Sequence, residues 1–455
     1  MNLLRKKQIQ HITSQGGSFK RTLSAFDLVF MGIGAIIGSG IFIVTGIVAA
    51  TNAGPGIIFS YIIAGFACGF SALSYAELAA SLGGCGSAYG YAYVGFGELI
   101  AWIVGWDLLF EYMISVSAVS VGWSSYCQSL LQAIHIEIPT KFVSGPWSGG
   151  IIDILSIFIV SAVASLQFMG AKLSATVNNI VVCIKLAVIL LFILFAVRDI
   201  NPQNWTPFLP FGWLGVIKGA SLIFFAYIGF DAVSTAAEEV QAPRHSLPIG
   251  ILVSLIICTL LYISVSILLT GMVPYTSLNV ASPLSHALLM HGRYFAASTI
   301  SIGAITGITT VIIVFFYGLT RIMLAMSRDG LLPSYFAKLN QRTKTPSRII
   351  ILMGILTASI AALFPMHELI EMVNIGTLAA FSIVCAGVIV LRYRKPDLPR
   401  PFKTPLMPLI PLLGLISCLY LISNLAWYTL LRFAIWLIIG LLVYFSFSRR
   451  HSKWA

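Results

Sequence analysis

Long apolar runs separated by short polar connections repeat along the whole chain. Each run has about 20 residues, enough for a helix to cross a hydrocarbon core of about 30 Å. The pattern predicts twelve spans, numbered in chain order, at residues 27–50, 55–79, 98–127, 151–169, 176–198, 214–236, 249–272, 297–325, 348–364, 369–391, 406–424 and 427–448. We therefore predict an all-α protein that passes through a membrane many times.

The composition supports this prediction. Of 455 residues, 58% are hydrophobic and 9% are charged, whereas a soluble domain has about 25% charged residues. The longest polar stretches, 128–150, 326–347 and 392–405, are too short to bury a core of their own. The function must therefore reside in the membrane part.

The basic residues predict the orientation. The formal net charge is +12, with 27 lysine and arginine residues. Most of them fall in the termini and in the loops on the same face, whereas the opposite face has Lys141, Arg198, Arg293 and Arg432. The positive-inside rule then puts both termini in the cytoplasm, with the chain in the plasma membrane or the bacterial inner membrane. Topology and contacts with lipid headgroups explain the basic runs, so we expect no nucleic-acid partner.

Neither a metal site nor a disulfide framework is indicated. The seven cysteines are scattered without a CxxC pair, and the histidines lack a metal-ligand spacing. We expect no cofactor. The polar start of the chain precedes a first span that is too long and too glycine-rich for the core of a signal peptide, so we expect that span to be retained.

Span 1 contains the segment MGIGAIIGSGIF, with glycines at positions 32, 34, 38 and 40. A glycine inside a helix costs about 1 kcal/mol relative to alanine, so unwinding is cheap here. A close-packing helix face built on Gly34 and Gly38 is the alternative, because small residues are common where membrane helices touch. When this segment is considered on its own, unwinding and close helix packing both remain possible.

Span 6 contains FFAYIGFDAVSTAAEE, in which acidic residues follow a single glycine. Asp231 is either a helix cap at a break or a buried partner, because a carboxylate at membrane depth needs protein or water around it. Glu238 and Glu239 are expected at the cytoplasmic surface. The following QAPRHSLP, with Pro243 and Pro248, predicts a turn and a short loop.

Paired broken helices in two halves of a chain indicate the substrate site of a secondary transporter. Free amides at a half-helix N-terminus attract an anion, and free carbonyls at the opposite half-helix attract a cation. A zwitterion fits both. Amides at Ser39 and Gly40 would hold a carboxylate, and carbonyls near Phe225, Ala226 and Ile228 would hold an ammonium.

Several charged residues fall inside the spans. Lys185 lies in the middle of span 5, where a lysine costs about 2.5 to 3.5 kcal/mol and is too deep to reach the interface. Desolvation favours its neutral form, so it could release and regain a proton during transport. Asp107 and Glu111 share a helix face and cannot both ionise comfortably. For Glu111 a structural contact and a proton pathway are both open, Asp107 is expected to make a contact near the cytoplasmic end, and Lys218 is expected at the outer interface.

Four segments of the chain resemble those of the amino acid/polyamine/organocation superfamily, and within it those of the bacterial relatives of the cationic amino acid transporters. The resemblance rests on GIGAIIGSGIF, LSYAELAASLGGCGSAYGYAYVGFGE, FFAYIGFDAVSTAAEEVQAPRHSLPIGI and YGLTRIMLAMSRDGLLP. It covers nearly the whole chain.

The resemblance implies an inverted repeat of five plus five helices with spans 1 and 6 unwound. The first repeat would be 27–198 and the second 199–391, followed by two peripheral helices in 392–448. Residues 1–26 and 449–455 would be cytoplasmic. Alternating access about a central site is the mechanism that this architecture implies.

The resemblance also implies roles for single residues. Ile36, Ser39 and Gly40 would hold the carboxylate, and Ile37 and Gly38 of the same segment are also predicted to bind the substrate. Phe225 would gate the site, and Ala226 and Ile228 would bound the ammonium and the side-chain pocket. Lys185 would replace the sodium ion of sodium-driven relatives and tether span 5 to the carbonyls of span 1.

The aromatic residues Phe225, Phe230 and Phe315 favour a neutral, apolar amino acid as substrate. Phe315 and Phe316 depart from the branch's usual sequence, which puts a long cationic substrate in doubt, although the name of the branch suggests arginine or lysine. We predict uptake of an amino acid with protons, with Lys185 and Glu111 in the proton coupling.

An amino acid exchanger on the same fold is the alternative. A membrane enzyme is disfavoured because the spans lack a pair of catalytic groups, and a channel because the two broken segments differ. Membrane lipids are the other expected partners. Nothing in the sequence specifies an oligomer, and a monomer is compatible with it.

Overall fold

The computed structural model describes residues 23–453 except 83–86, 134, 137, 171–174, 236–239 and 281. Glu238 and Glu239 therefore lie outside the described residues. Helices make up most of the described chain. They are α1 (Ala25–Ile36), α2 (Thr45–Val48), α3 (Ile57–Leu82), α4 (Ser87–Gly95), α5 (Glu98–Ala133), α6 (Ile154–Phe168), α7 (Ala175–Ala196), α8 (Gly212–Ile223), α9 (Ala232–Thr235), α10 (Pro243–Met272), α11 (Pro283–Met290), α12 (Tyr294–Arg328), α13 (Ser347–Leu363), α14 (Met366–Arg394), α15 (Leu409–Ser423), α16 (Trp427–Val443) and α17 (Arg449–His451). Two strands of two residues each, β1 (Val143–Ser144) and β2 (Ile152–Asp153), pair antiparallel in one loop.

Within the described ranges, seven helical segments are long and apolar enough to cross a membrane. Five shorter apolar helices, α1, α6, α8, α13 and α15, accompany them. Large apolar side chains such as Leu194, Ile256 and Leu442 are more than half exposed on the outer surface. An apolar surface of this extent is unfavourable in water, so it faces hydrocarbon, and the chain is a membrane protein.

The longer helices pack around the two segments where α1 and α8 end. α12 lies along α5, α10 lies against both α1 and α3, and α14 contacts α5 and α15. α13 pairs with α6, and α16 is largely exposed on the outside. The broken segments are therefore enclosed by helices on all these sides and lie in the interior.

The prediction of a turn and loop at QAPRHSLP is wrong, because α10 begins at Pro243 and contains Pro248. Proline suits the first position of a helix, since its missing N–H would have no helical acceptor there. Pro248 removes one hydrogen bond near the helix start, which membrane helices tolerate where neighbours contact the freed carbonyl. The short helices α4 and α11 have no counterpart among the predicted spans, because the length rule selects only runs of about 20 residues.

Candidate functional site

The first break lies between α1 and α2. α1 ends at Ile36, Ile37 is extended with ψ of 101°, and a π-turn begins at Gly40. A Cβ on Gly40 would lie 2.5 Å from the Cα of Ala226 in the second break. A residue other than glycine would therefore push the two breaks apart.

The earlier glycines of this segment serve helix packing. A Cβ on Gly34 would lie 2.9 Å from Cγ2 of Val182 in α7, and one on Gly32 would lie 2.3 Å from the Ser254 hydroxyl in α10. The two interpretations of the glycine segment thus apply to different glycines. Gly32 and Gly34 allow close helix contacts, and Gly40 allows the contact between the breaks.

The second break follows α8. The chain forms a 3-10 turn at Phe224–Tyr227, is extended at Ile228 with ψ of 137°, and reverses at Gly229, whose φ is +120°. A Cβ on Gly229 would lie 2.8 Å from the carbonyl oxygen of Ala35. Both the left-handed φ and this close approach require glycine.

Three side chains contact backbone carbonyls at the ends of α1 and α8. Such carbonyls must find other partners when buried. Lys185 donates to the carbonyl oxygens of Gly34 and Ile37, and Tyr262 lies against that of Ile36. At the end of α8, the Asn374 amide donates to the carbonyls of Ser221 and Leu222 at 2.9 and 3.1 Å.

Lys185 is fully buried, with Nζ 2.7 Å from the Gly34 carbonyl oxygen and 2.9 Å from that of Ile37. Among the described residues no carboxylate lies within ion-pair distance of this ammonium. A Cβ on Gly307 would lie 3.1 Å from its Cγ, so α12 packs directly on the lysine side chain. Lys185 therefore joins α7 to the first break, and its part in proton coupling stays a prediction.

A small cavity lies between the breaks, α5 and α12. It is lined by Ala35, Ile36, Gly38, Ser39, Gly40, Ser115, Val119, Phe225, Ile228, Val311 and Phe315. Its volume is about 10 Å³, close to the space that a single water molecule needs. An amino acid therefore enters only if side chains such as Phe225 and Phe315 move.

Two hydroxyl groups in this cavity are buried and have no hydrogen-bond partner among the described residues. They are Ser39 Oγ and Ser115 Oγ, and both residues are 1% exposed. An unpartnered buried hydroxyl is destabilising, so both groups are available to a polar ligand. Ser115 was missed in the sequence, although its position four residues after Glu111 puts it on the same helix face.

Seven of the ten predicted substrate-binding residues line this cavity. Ile37, Ala226 and Phe230 lie outside the lining. Ala226 contacts Gly40 instead. The Phe230 ring packs against Tyr75 and Phe381, with centroids 5.8 and 5.0 Å away. Gly229, with its φ of +120°, separates Ile228, which lines the cavity, from Phe230, which does not.

Three buried carboxyl groups gather beside the second break. Glu111 interacts electrostatically with Asp107 and Asp231, and Tyr112 donates to Asp231 Oδ2 at 3.0 Å. Both carboxyl oxygens of Asp107 lack a hydrogen-bond partner among the described residues. The side chain of Glu111 therefore lies close enough to both aspartates to interact with them inside the protein. Asp231 is thus a buried partner of Tyr112, one of the two roles expected for it.

The comparisons with known proteins cover nearly the whole chain. Residues 23–447 match the family described as amino acid permease. The chain is 49% identical over 462 residues to the branched-chain amino acid permease BcaP of Bacillus subtilis (strain 168), with 99% of each chain covered. It is 47% identical over 455 residues to the methylthioribose transporter of the same organism, again with 99% of each covered.

A more distant relative is the vacuolar cationic amino acid transporter 4 of Arabidopsis thaliana, 37% identical over 407 residues, 87% of this chain and 68% of that protein. Family and relatives alike are permeases or transporters, which points to transport and away from enzymatic catalysis. The chain belongs to the amino acid permease family of the amino acid/polyamine/organocation superfamily and is a membrane transporter for amino acid uptake.

Proposed function

We propose that this transporter carries a neutral, apolar amino acid, bound as a zwitterion between the two breaks. The observation that carries the proposal is the direct contact of Gly40 with Ala226 beside a cavity that contains the unpartnered Ser39 hydroxyl. The amides at the start of the helical segment from Gly40 would take the carboxylate. The carbonyls of the second break would take the ammonium.

The rest of the cavity favours an apolar side chain. Val119, Ile228, Val311 and Phe315 supply apolar walls, and none of the described residues that line the cavity has an ionisable side chain. A guanidinium or ammonium at the end of a long side chain would be desolvated there without a partner, which is costly. A relative at 49% identity is named a branched-chain amino acid permease, and leucine is the substrate that we expect here.

We further propose twelve membrane crossings in a five-plus-five inverted repeat, with both termini in the cytoplasm of a bacterial cell. A helix rises about 1.5 Å per residue, so α1 alone reaches about 18 Å and is too short to cross. The helical segments on the far side of each break would complete the first and sixth crossings. The helices of 15 to 17 residues, α6, α13 and α15, would cross with modest local thinning of the bilayer.

We also propose that uptake is coupled to protons through Lys185 and Glu111. The ammonium of Lys185 donates to the carbonyls of the first break and can lose its proton. A metal ion is therefore not needed at these carbonyls. Glu111 belongs to the buried carboxyl cluster next to the second break. An exchanger without net proton movement is the competing mechanism.

Uptake into liposomes that contain the purified transporter tests these proposals. We expect radiolabelled leucine to accumulate in sodium-free buffer when the outside is acidic, without amino acid inside. Arginine should compete poorly. A strict sodium requirement would exclude the proton mechanism, and uptake only into leucine-loaded liposomes would identify an exchanger. Uptake of arginine in preference to leucine would contradict the assigned substrate class.

Methylthioribose is a second candidate substrate, favoured by the 47% identity to a transporter named for it. The hydroxyls of Ser39 and Ser115 could bond to a sugar, and the apolar walls could take its thioether. The same liposomes distinguish the two candidates. Uptake of methylthioribose without uptake of leucine would replace the zwitterion proposal.

A further inference from the structure

Tyr262 of α10 contacts both breaks at once. Its side chain is fully buried, and its hydroxyl oxygen lies 2.9 Å from the carbonyl oxygen of Ile36 and 2.8 Å from that of Ala226. Ile36 is the last residue of α1, and Ala226 lies in the turn that follows α8. A single hydroxyl group thus connects the backbone of the two segments between which the substrate is proposed to bind.

The Tyr262 hydroxyl cannot donate fully to both carbonyls. A phenol carries one hydrogen, whereas two carbonyl acceptors lie within hydrogen-bond distance. Only one carbonyl at a time receives a straight hydrogen bond, and the other is left partly unsatisfied in a buried place. An ammonium group carries three N–H donors and could satisfy the remaining acceptor.

The ring of Tyr262 is fixed independently of these bonds. It packs between the rings of Tyr61 and Tyr227, with centroids 5.3 and 5.5 Å away. Tyr227 donates to the carbonyl of Tyr61 at 2.9 Å, and the Tyr61 hydroxyl bonds to Thr45 at 2.6 Å. The two neighbours therefore have partners of their own, and the aromatic cluster holds the Tyr262 hydroxyl at a set position.

We propose that Tyr262 is a positioning residue for the ammonium subsite. Its hydroxyl sets the spacing between the carbonyls of Ile36 and Ala226, and the substrate ammonium takes the carbonyl that the hydroxyl leaves unsatisfied. The proposal rests on the zwitterion site of the proposed function. Recognition of the substrate amino group then depends on Tyr262, which acts through the backbone carbonyls and not by direct contact.

The variant Tyr262→Phe keeps the ring and removes only the hydroxyl. The test measures how strongly unlabelled leucine and two of its analogues compete with the uptake of radiolabelled leucine into liposomes. Leucinol keeps the ammonium and lacks the carboxylate, and 4-methylpentanoate keeps the carboxylate and lacks the ammonium. We expect the variant to weaken leucine and leucinol by about tenfold, because the hydroxyl no longer holds the two carbonyls at the spacing that the ammonium needs, and to leave 4-methylpentanoate unchanged.

Tyr227→Phe is the matched control, because it removes a hydroxyl from the same cluster that bonds away from both carbonyls. We expect it to affect the three compounds equally. Equal weakening of all three compounds in Tyr262→Phe, or unchanged leucine affinity, would overturn the positioning role. Absence of leucine uptake by the unmodified transporter would instead reject the proposed substrate, so the two failures are distinguishable.

Discussion

Gly40→Ala is the substitution that tests most directly whether the contact between the breaks forms the substrate site. The added Cβ would lie 2.5 Å from the Cα and 2.6 Å from the Cβ of Ala226, whereas carbon atoms in contact are about 3.5 to 4.0 Å apart. Ala226 belongs to a turn of the backbone, so it cannot yield as a flexible side chain would. Overpacking costs about 1 to 3 kcal/mol, and we take the upper end because the clash is with backbone.

A cost of about 3 kcal/mol corresponds to a change of about 150-fold in an equilibrium constant. We expect Gly40→Ala to weaken leucine binding by roughly this factor, as measured by titration of the purified protein in detergent. Gly69→Ala in α3 is the control, because an added Cβ there meets nothing within 4 Å. Wild-type affinity in Gly40→Ala would refute a site that depends on contact between the breaks.

Two other substitutions test single polar groups. Lys185→Met removes two hydrogen bonds of a charged donor to the Gly34 and Ile37 carbonyls, each worth about 1.5 to 3 kcal/mol, so we expect leucine uptake to fall and to lose its response to an imposed pH gradient. Unchanged acceleration by external acid would exclude Lys185 from the coupling. Ser115→Ala removes an unpartnered buried hydroxyl, so we expect a higher Tm in thermal unfolding and a lower affinity for threonine relative to its isostere valine in competition assays. An unchanged threonine-to-valine ratio would show that the hydroxyl does not contact substrate.

The helices could be predicted from sequence because a helix in a membrane must satisfy its backbone groups internally. Length and hydrophobicity then decide where a helix lies. The breaks could be located as well, since glycine and aspartate are unfavourable inside apolar helices. The sequence could not tell apart Gly34, which packs on Val182, and Gly40, which packs on Ala226, because that difference depends on which helix lies opposite.

The residues of the site are likewise hard to predict when their role depends on which part of the chain lies opposite. Ser115 follows Glu111 at helical spacing and could have been included, since one helix face carries both. Tyr262 gave no signal, because its hydroxyl contacts backbone 226 residues away in the chain at Ile36. Phe230 is an aromatic residue next to the break, but its ring packs against Tyr75 and Phe381, and the sequence does not show those contacts. Contacts with distant backbone require the fold itself.

Phe315→Ser tests the assignment of a neutral substrate. The Phe315 ring lines the cavity and packs edge-on against Tyr112, with centroids 5.5 Å apart. Removing the ring opens the pocket at the place where a longer side chain would extend. One methylene in an apolar pocket is worth about 10- to 200-fold in selectivity, so we expect the affinity for arginine relative to leucine to rise by at least about tenfold.

Phe316→Ser is the control for this substitution. Phe316 is fully buried but faces α13, with its ring 3.8 Å from the position of a Cβ on Gly354. Its removal creates a comparable void outside the cavity, so both variants should lose stability while only Phe315→Ser shifts the arginine-to-leucine ratio in competition assays. The same shift in both variants would mean that selectivity follows general loosening of α12. A shift confined to Phe315→Ser would assign the size limit of the substrate side chain to that single ring.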